Sequence, residues 1–346
     1  MGFASNGDTI NSPVNLGIRS HYGFIIPHAK EIKGISRSKP RGLDLDVSWL
    51  LLGKNAWNYC FCYPRSGFTF SYMDFDNPRV LGKAYALNYF IEPFISYQNL
   101  VNLSFRAGMG MVYLTNPYDK VTNPDNLFYS SDISFTLLLN LAINVRLTKK
   151  INARVAGYYN HISNAGIKEP NKGINYPTLS LGIDYMLQDY HIPDREKVIK
   201  QLYDQKYTIQ LSLFGTAKTY STADQTRYPL LGFSITGERL IGRVSGLRLG
   251  AEFVADYQLK ENLQRNNIDR DFKRGALLAG HNLHIGRLSF SQVLGIYIYS
   301  PFKAKDPVYQ RWGFTYSITD NIFAGINLKA HRHVADFMDA RIGYVF

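Results

Sequence analysis

The chain has 346 residues, of which 45% are apolar and 14% aromatic, and it carries a formal net charge of +12. This length suits two soluble domains or one closed β structure, which often exceeds about 200 residues as a single unit. No stretch approaches the roughly 18 consecutive apolar residues of a membrane-spanning helix, so a helical membrane protein is excluded. The positive charge favours anionic partners. Basic residues are spread along the chain without a nucleic-acid-binding motif, so we expect acidic lipid and no nucleic acid as partner.

Short segments that alternate apolar and polar residues follow one another along the whole chain. In the segment 101–113, odd-numbered positions are all apolar or aromatic, whereas even-numbered positions include Asn102, Ser104 and Arg106. A period of two places one face in lipid and the other in a polar interior, which is typical of an outer-membrane barrel. We therefore predict an all-β transmembrane antiparallel barrel of about sixteen strands, with fourteen as the alternative. The predicted strands start near Asn15, Leu43, Gly67, Lys83, Val101, Ser134, Ile151, Ile174, Lys206, Thr226, Leu247, Gly275, Leu288, Gln310, Ile322 and Phe337.

One strand and one link carry more specific predictions. Asp44 and Asp46 alternate with leucines, which indicates an acidic row facing the interior and paired there with basic residues. The link 188–205 is longer than most links at its end of the barrel, and its sequence from Pro193 predicts a short periplasmic helix near 193–204. Because no repeat or interdomain linker is visible, we expect residues 1–346 to form one barrel domain.

The two chain ends fit an exported protein. The first residues lack the charged and apolar segments of a signal peptide, so we expect the mature form with the signal peptide removed. The last strand, from Phe337, ends on Phe346 and resembles the C-terminal assembly signal of outer-membrane barrels. We therefore predict a multi-pass protein of the Gram-negative outer membrane.

Cys60 and Cys62 are the only cysteines of the chain. On a strand, side chains two residues apart leave the same face, in a geometry too strained for an ordinary disulfide. We therefore expect two small, partly buried thiols. No other cysteine can complete a zinc cluster, and we expect neither a metal nor a cofactor.

His161 and Ser163 form the one pair in the sequence that suggests chemistry. They stand two residues apart near the end of a predicted strand and share the parity of Val155 and Tyr159, which places both on the lipid-facing wall. Polar side chains there are costly and usually functional. An imidazole can take the proton of an attacking serine hydroxyl, so the pair suits nucleophilic catalysis. The alternative is an ordinary pair of polar side chains at the barrel rim.

Three further residues complete the predicted site. Asn175 shares the outer face of the next strand and lies across the hairpin from His161, where it can orient the imidazole. Backbone amides near Asn164 and Gly166 are candidates for an oxyanion hole. The hairpin loop would then hold the donors for a developing negative charge.

The longer string that runs from His161 to Asn175 resembles the signature of the lipid A 3-O-deacylase (PagL-like) family, also called acyloxyacyl hydrolase in broad usage. The family pattern His-x-Ser-Asn-Ala, followed by Pro-Asn-x-Gly, is matched in order and spacing by His161, Ser163, Asn164, Ala165, Pro170, Asn171 and Gly173. The remainder of the chain resembles the family's larger barrels only loosely.

The resemblance implies an outer-membrane serine esterase that deacylates lipid A of lipopolysaccharide, with Ser163 as nucleophile and His161 as base. It also places Asn171 in the oxyanion loop. Basic rim residues, including Lys168 and Lys172, are expected to hold the lipid phosphates. Lipopolysaccharide and the outer membrane are thus the expected partners.

One position departs from the family pattern. The family's small members carry a glutamate where this chain has Asn175. An amide can accept the imidazole N–H but offers no charge to stabilise an imidazolium. Glu169 is the alternative acid, unless it is only a solvated loop residue. Two other functions therefore stay open: a non-catalytic lipid-binding or assembly barrel, and a diffusion porin with a water-filled interior.

Overall fold

The computed structural model describes residues 12–95, 97, 99–197, 207–221, 223–302, 304, 306–332 and 334–346. Its strands form two closed antiparallel barrels, each built from eight long strands. The first barrel and the second barrel belong to separate compact units, and residues 165–169 are grouped with the second unit.

The strand bounds are as follows. The first barrel contains β1 (Val14–Gly23), β2 (Arg41–Leu50), β3 (Arg65–Asp74), β4 (Lys83–Glu92), β6 (Val101–Leu114), β7 (Ile133–Arg146), β8 (Ile151–Ser163) and β9 (Ile174–Met186), with the two-residue β5 (Phe94–Ile95) beside β6. The second barrel contains β10 (Tyr207–Thr219), β11 (Arg227–Leu240), β12 (Ser245–Asp256), β13 (Lys273–Ile285), β14 (Leu288–Tyr299), β15 (Val308–Ser317), β16 (Ile322–His331) and β17 (Val334–Val345).

The sixteen long strands are confirmed, and each begins within three residues of its predicted start. The single barrel over residues 1–346 is corrected, because β9 pairs back with β1 and β17 pairs back with β10. The alternation of residues reports which face a side chain occupies. It does not report which strands meet where a sheet closes, so one barrel of sixteen strands and two of eight produce the same pattern. The unusual link 188–205 is the connection between β9 and β10.

The described helices are short. They are α1 (Lys54–Cys60), α2 (Tyr257–Arg265) and two 3₁₀ turns at Lys30–Ile32 and Ile35–Arg37. None of the helices in the described part of the chain is long and apolar enough to cross a membrane.

The predicted periplasmic helix near 193–204 is not found where the chain is described, since residues 193–197 are non-helical. The hydroxyl of Tyr63 donates to the carbonyl of Pro193 at 2.7 Å, and the indole of Trp57 donates to the carbonyl of Glu196 at 3.1 Å. These side chains take up carbonyls that a helix would use for its own bonds. The remainder of the prediction, residues 198–204, lies outside the described residues.

The cysteine prediction is wrong: Cys60 and Cys62 form a disulfide. They do not lie on a strand, because Cys60 is the last residue of α1 and Phe61 has the left-handed backbone angle φ 49°. This turn brings the two Cα atoms to 5.0 Å, inside the usual range for a disulfide. The error came from the assumed secondary structure and not from the spacing.

The predicted acidic row is confirmed inside the first barrel. Asp46 accepts from Arg106 at 2.7 Å and also pairs with Arg19, while Asp44 lies 3.0 Å from the imidazole of His21. All these side chains are buried. An eight-stranded barrel is only just wide enough for its side chains, so the interior is filled by ion pairs instead of a channel.

Glu92 is the centre of this interior network. Its carboxylate accepts from Arg65 at 3.0 Å, from Arg106 at 2.9 Å and from Arg154. Arg65 also bonds to Asp184 at 2.9 Å, which connects β3 with β9 across the barrel. The network joins strands that are not neighbours in the sheet and thereby holds the barrel cross-section.

An apolar cluster fills the first barrel near the end that carries the β8–β9 hairpin. Its buried members are Ile25, Ile32, Met73, Phe75, Leu81, Ala84, Ala86, Val112, Leu114, Phe128, Tyr129, Ile162, Ile174 and Tyr176. Ile162 and Ile174 come from the hairpin itself and pair directly across it. Because Ile162 points into the barrel, its neighbours His161 and Ser163 must point outward.

The second barrel has ion pairs of its own in its interior. Arg311 contacts Glu252 at 2.8 Å and Asp339 at 2.6 Å, and all three side chains are buried. Outward positions are apolar, as at Leu249, which is 67% exposed. Each barrel therefore has the apolar outer band and polar interior of an outer-membrane protein.

We predict that Glu92→Gln destabilises the first barrel by about 3 kcal/mol or more, because a buried charge network loses the anion that three arginines share. The exposed pair Arg41–Asp76, whose side chains are 64% and 42% exposed, supplies the control. Asp76→Asn should cost less than about 1 kcal/mol. Urea unfolding of protein folded in lipid vesicles measures both values. Equal stability of the two variants would contradict the role given to Glu92.

Candidate functional site

The β8–β9 hairpin brings together the side chains that the sequence singled out. His161 and Ser163 are half-buried on the outer face at the end of β8, while Ile162 between them is buried. The register of the hairpin places Asn175 of β9 directly opposite His161. The structure therefore places all three residues on the outer wall, as their parity predicted.

A hydrogen bond joins His161 to Asn175. The Nδ1 atom of His161 lies 2.7 Å from Oδ1 of Asn175. Because an amide oxygen only accepts, this contact requires the proton on Nδ1, and it leaves the lone pair of a neutral ring on Nε2. The hydroxyl of Tyr159 donates to the same oxygen at 2.9 Å. Asn175 thus holds the imidazole in the tautomer that a general base needs.

Asn171 is hydrogen-bonded to Ser163. Its Nδ2 donates to the serine Oγ at 2.9 Å, and its Oδ1 accepts from the backbone N–H of Asn164 at 3.1 Å. The side chain of Asn164 in turn donates to the hydroxyls of Ser130 and Ser131 at 3.2 and 3.3 Å. These contacts fix the orientation of the Asn171 amide and aim a donor at the serine oxygen.

Gly173 lets the loop approach the imidazole closely. Its φ is +70°, in the left-handed region, and a Cβ built on it would lie 2.9 Å from Cε1 of His161. Any larger residue would meet both a strained backbone and the ring edge. The glycine of the hairpin loop is therefore required by the packing of His161.

Two predicted residues are grouped with the second compact unit. Gly166 has a φ of +79° and Glu169 is exposed, and both lie in the segment 165–169 that is grouped with the second compact unit. His161, Ser163, Asn171 and Asn175 all belong to the first unit. Gly166 as an oxyanion donor and Glu169 as an alternative acid therefore remain predictions from sequence.

Two residues beside Asn175 were missed by the sequence reasoning. Tyr159 shares a strand face with His161 and could have been found from that parity. His28 follows β1, and its Nδ1 lies 3.4 Å from Nδ2 of Asn175. No local pattern could have placed His28 here, because its position depends on the pairing of β1 with β9 that closes the barrel.

The basic loop residue Lys172 has a partner at the same end of the barrel. Its ammonium lies 3.5 Å from the carboxylate of Glu31. The pKa of the Glu31 carboxyl is held below its usual value by a hydrogen bond from the backbone of Glu31 itself and by the positive charge of Lys172. Glu31 thus stays ionised at neutral pH, and an anionic ligand of Lys172 would compete with it.

Comparison with known protein families matches each barrel separately. Residues 43–184 match the family described as "Lipid A 3-O-deacylase (PagL)", and residues 207–346 match "Acyloxyacyl hydrolase, C-terminal domain". The first match contains β8 and all of β9 except its last two residues, and the second spans β10–β17. No curated protein matches the chain.

Solved outer-membrane proteins are similar at low identity. The outer membrane enzyme PagL is 15% identical, with 48% of this chain and 97% of that chain covered and a TM-score of 0.36. Neisserial surface protein A is 12% identical, with 50% and 96% covered and a TM-score of 0.34. A mutant of the Rh. blastica porin is 10% identical, with 96% and 99% covered and a TM-score of 0.23.

The family matches together cover most of the chain and agree with the hairpin signature. Lipid A is the substrate class that the matched family's description names. The first barrel thus contains a lipid A 3-O-deacylase (PagL) domain, of a family of outer-membrane ester hydrolases, and the second barrel is an acyloxyacyl hydrolase C-terminal domain.

Proposed function

We propose that this chain deacylates lipid A from the outer wall of its first barrel, with Ser163 as nucleophile and His161 as general base. The observation that carries the proposal is the 2.7 Å contact between His161 Nδ1 and Asn175 Oδ1, on the same outward face as Ser163. This contact leaves Nε2 of the imidazole as the free base on a wall where a lipid substrate arrives sideways. Polar side chains are costly on such a surface and are usually functional there.

The reaction proceeds by acyl transfer to the enzyme. As Ser163 Oγ attacks the ester carbonyl carbon, His161 Nε2 takes the hydroxyl proton. The tetrahedral intermediate collapses, and the imidazolium returns the proton to the departing sugar hydroxyl. Water, activated by the same imidazole, then cleaves the acyl-serine ester and releases a fatty acid. Both steps use the same imidazole as the base.

Asn171 is suited to stabilise the negative oxygen of the intermediate. Its Nδ2 donor already lies 2.9 Å from Ser163 Oγ, next to the place where the carbonyl oxygen develops its charge. Such a donor, held in advance by other hydrogen bonds, typically accounts for about 100- to 1000-fold in rate. The contact with Asn164 provides that preorganisation.

Basic side chains near the site favour an anionic lipid. The loop 28–40, at the same end of the first barrel as the hairpin, exposes Lys30, Lys33, Arg37 and Lys39 against the single acid Glu31. With Lys172 of the hairpin loop, these cations can bind the phosphates of lipid A. The same charges would hold the substrate headgroup above the membrane while its acyl chains contact the wall.

The porin alternative loses its basis in the structure. A diffusion channel needs a wide interior, whereas the strands here close into two barrels of eight, and Glu92 and Arg311 are among the buried charges that fill them. The non-catalytic lipid-binding alternative rests on Asn175 and is tested separately below.

We predict that Ser163→Ala lowers release of fatty acid from lipid A by at least about 1000-fold, because the variant lacks the oxygen that attacks the ester. Ser20→Ala removes another outward serine, from β1 of the same barrel, and should leave the rate unchanged. Fatty acid is measured by mass spectrometry, and heat-modifiable gel mobility verifies folding. Undiminished release by folded Ser163→Ala would overturn the proposal.

We predict that Gly173→Ala lowers kcat by about 10- to 100-fold, since a methyl group at that position displaces the imidazole by part of an ångström or more. Gly157→Ala is the matched control, because nothing lies within 4 Å of its added Cβ on the same strand as His161. Initial rates of deacylation for the two variants test whether the loop at Gly173 positions the imidazole. Equal rates would show that the imidazole does not depend on the loop.

We predict that Asn175→Ala lowers kcat by about 10- to 100-fold, as expected when the group that orients a catalytic ligand is removed. The non-catalytic alternative predicts a different result. In that case the wild-type chain is inert, and Asn175→Glu creates activity by restoring the carboxylate of the family pattern. Rates for wild type, Asn175→Ala and Asn175→Glu separate the two functions.

A further inference from the structure

We infer that His28 is a positioning residue of this site, because it fixes which end of the Asn175 amide faces His161. The inference rests on the proposed function, since it concerns how the base of that reaction is prepared. It concerns a residue of the segment after β1, more than 130 positions from His161 in the sequence.

An asparagine at this position creates a problem that a carboxylate does not have. Both oxygens of a carboxylate accept, so either one can hold the imidazole N–H. An amide has an accepting and a donating end of nearly the same shape. If Nδ2 of Asn175 faced His161, Nδ1 of the ring would have to accept, the ring proton would sit on Nε2, and the lone pair needed by Ser163 would be lost. The Tyr159 hydroxyl can donate or accept and therefore does not choose between the two orientations.

The contacts of His28 select one of the two orientations of the Asn175 amide. Its Nε2 lies 2.9 Å from the carbonyl oxygen of Lys172, and a carbonyl only accepts, so Nε2 carries the proton. Nδ1 of the neutral ring is then an acceptor, and it lies 3.4 Å from Nδ2 of Asn175. With Nδ2 directed to His28, Oδ1 is left for His161. The backbone carbonyl of Lys172 thus determines the tautomer of His161, through the side chains of His28 and Asn175.

The backbone of the segment after β1 positions His28 beside Asn175. After β1 ends, the N–H of Phe24 donates to the carbonyl of Pro177 at 3.1 Å, and the N–H of Ile26 donates to the carbonyl of Asn175 at 2.8 Å. The segment therefore runs along the start of β9 and bonds to the main chain of the same residue whose side chain His28 contacts. The Nδ1 atom of His28 also lies 3.3 Å from the carbonyl oxygen of Ile26. When the neutral ring carries its proton on Nε2, Nδ1 has no proton to donate to that oxygen.

Three substitutions separate orientation of Asn175 from anchoring of the loop. His28→Phe keeps a ring but loses both contacts. His28→Asn keeps an acceptor close to the Nδ1 position, whereas His28→Gln keeps a donor close to the Nε2 position. We expect kcat to fall by about 10- to 100-fold in His28→Phe and His28→Gln with KM unchanged, and to stay within about threefold of wild type in His28→Asn. Rescue by Gln instead of Asn would mean that His28 only anchors Lys172, and would overturn the inference.

A double-mutant cycle with Asn175→Asp provides the second test. The carboxylate of Asp has no donating end, so His28→Phe should cost less than about threefold in that background. An equal loss in both backgrounds would overturn the inference.

A measurement that does not use activity separates this inference from the proposed function. In ¹⁵N-histidine-labelled protein folded in detergent, with His161→Ala to assign the signal, we expect the imidazole of His161 to carry its proton on Nδ1. In His28→Phe the signal should move towards the Nε2-protonated form. If lipid A is not cleaved but this shift occurs, the proposed function fails and the inference stands. If lipid A is cleaved and no shift occurs, only the inference fails.

Discussion

A β-strand directs successive side chains to opposite sides of the sheet, and the rest of this structure depends on that constraint. In a closed barrel one side meets lipid and the other meets a narrow interior. Ile162 is buried inside the first barrel, so His161 and Ser163 on either side of it must face outward. The proposed chemistry therefore lies on the membrane wall, where an acyl ester can arrive without leaving the bilayer.

The interior of the first barrel is filled by side chains that make the barrel rigid, and it does not form a channel. Buried carboxylates such as Glu92 and Asp184 pair with arginines from several strands, and apolar side chains close the end beneath the hairpin. Buried ion pairs are weak sources of net stability, but they are strongly sensitive to the loss of one partner. They are best understood as contacts that specify one arrangement of the barrel. The outer face can then hold the His161–Asn175 contact in a constant geometry.

The site also shows how one departure from the family pattern is accommodated. A carboxylate at position 175 would orient the imidazole and stabilise its positive charge, whereas Asn175 offers only orientation. That orientation is ambiguous for an amide unless other contacts select it. Tyr159 and His28 both contact Asn175, and only the His28 contact distinguishes its two ends.

Much of this could be predicted from the sequence because alternation and local motifs are local properties. Strand positions, the outward faces and the opposition of His161 and Asn175 follow from parity and hairpin geometry. Barrel closure, the Cys60–Cys62 disulfide and the place of His28 did not follow. Closure depends on pairing between distant strands, and the disulfide depends on the end of α1 and the left-handed turn at Phe61, which no alternation of residues marks. His28 depends in turn on the closure of β1 with β9.

The central claim is that Ser163 is an activated nucleophile on the lipid-facing wall. It is tested most directly by treating the folded protein with a lipophilic fluorophosphonate and mapping the adduct by peptide mass spectrometry. The account predicts modification of Ser163 in the wild-type protein and a rate lowered by orders of magnitude in His161→Ala. Absence of the adduct at Ser163, or an equal rate of modification in His161→Ala, would contradict it.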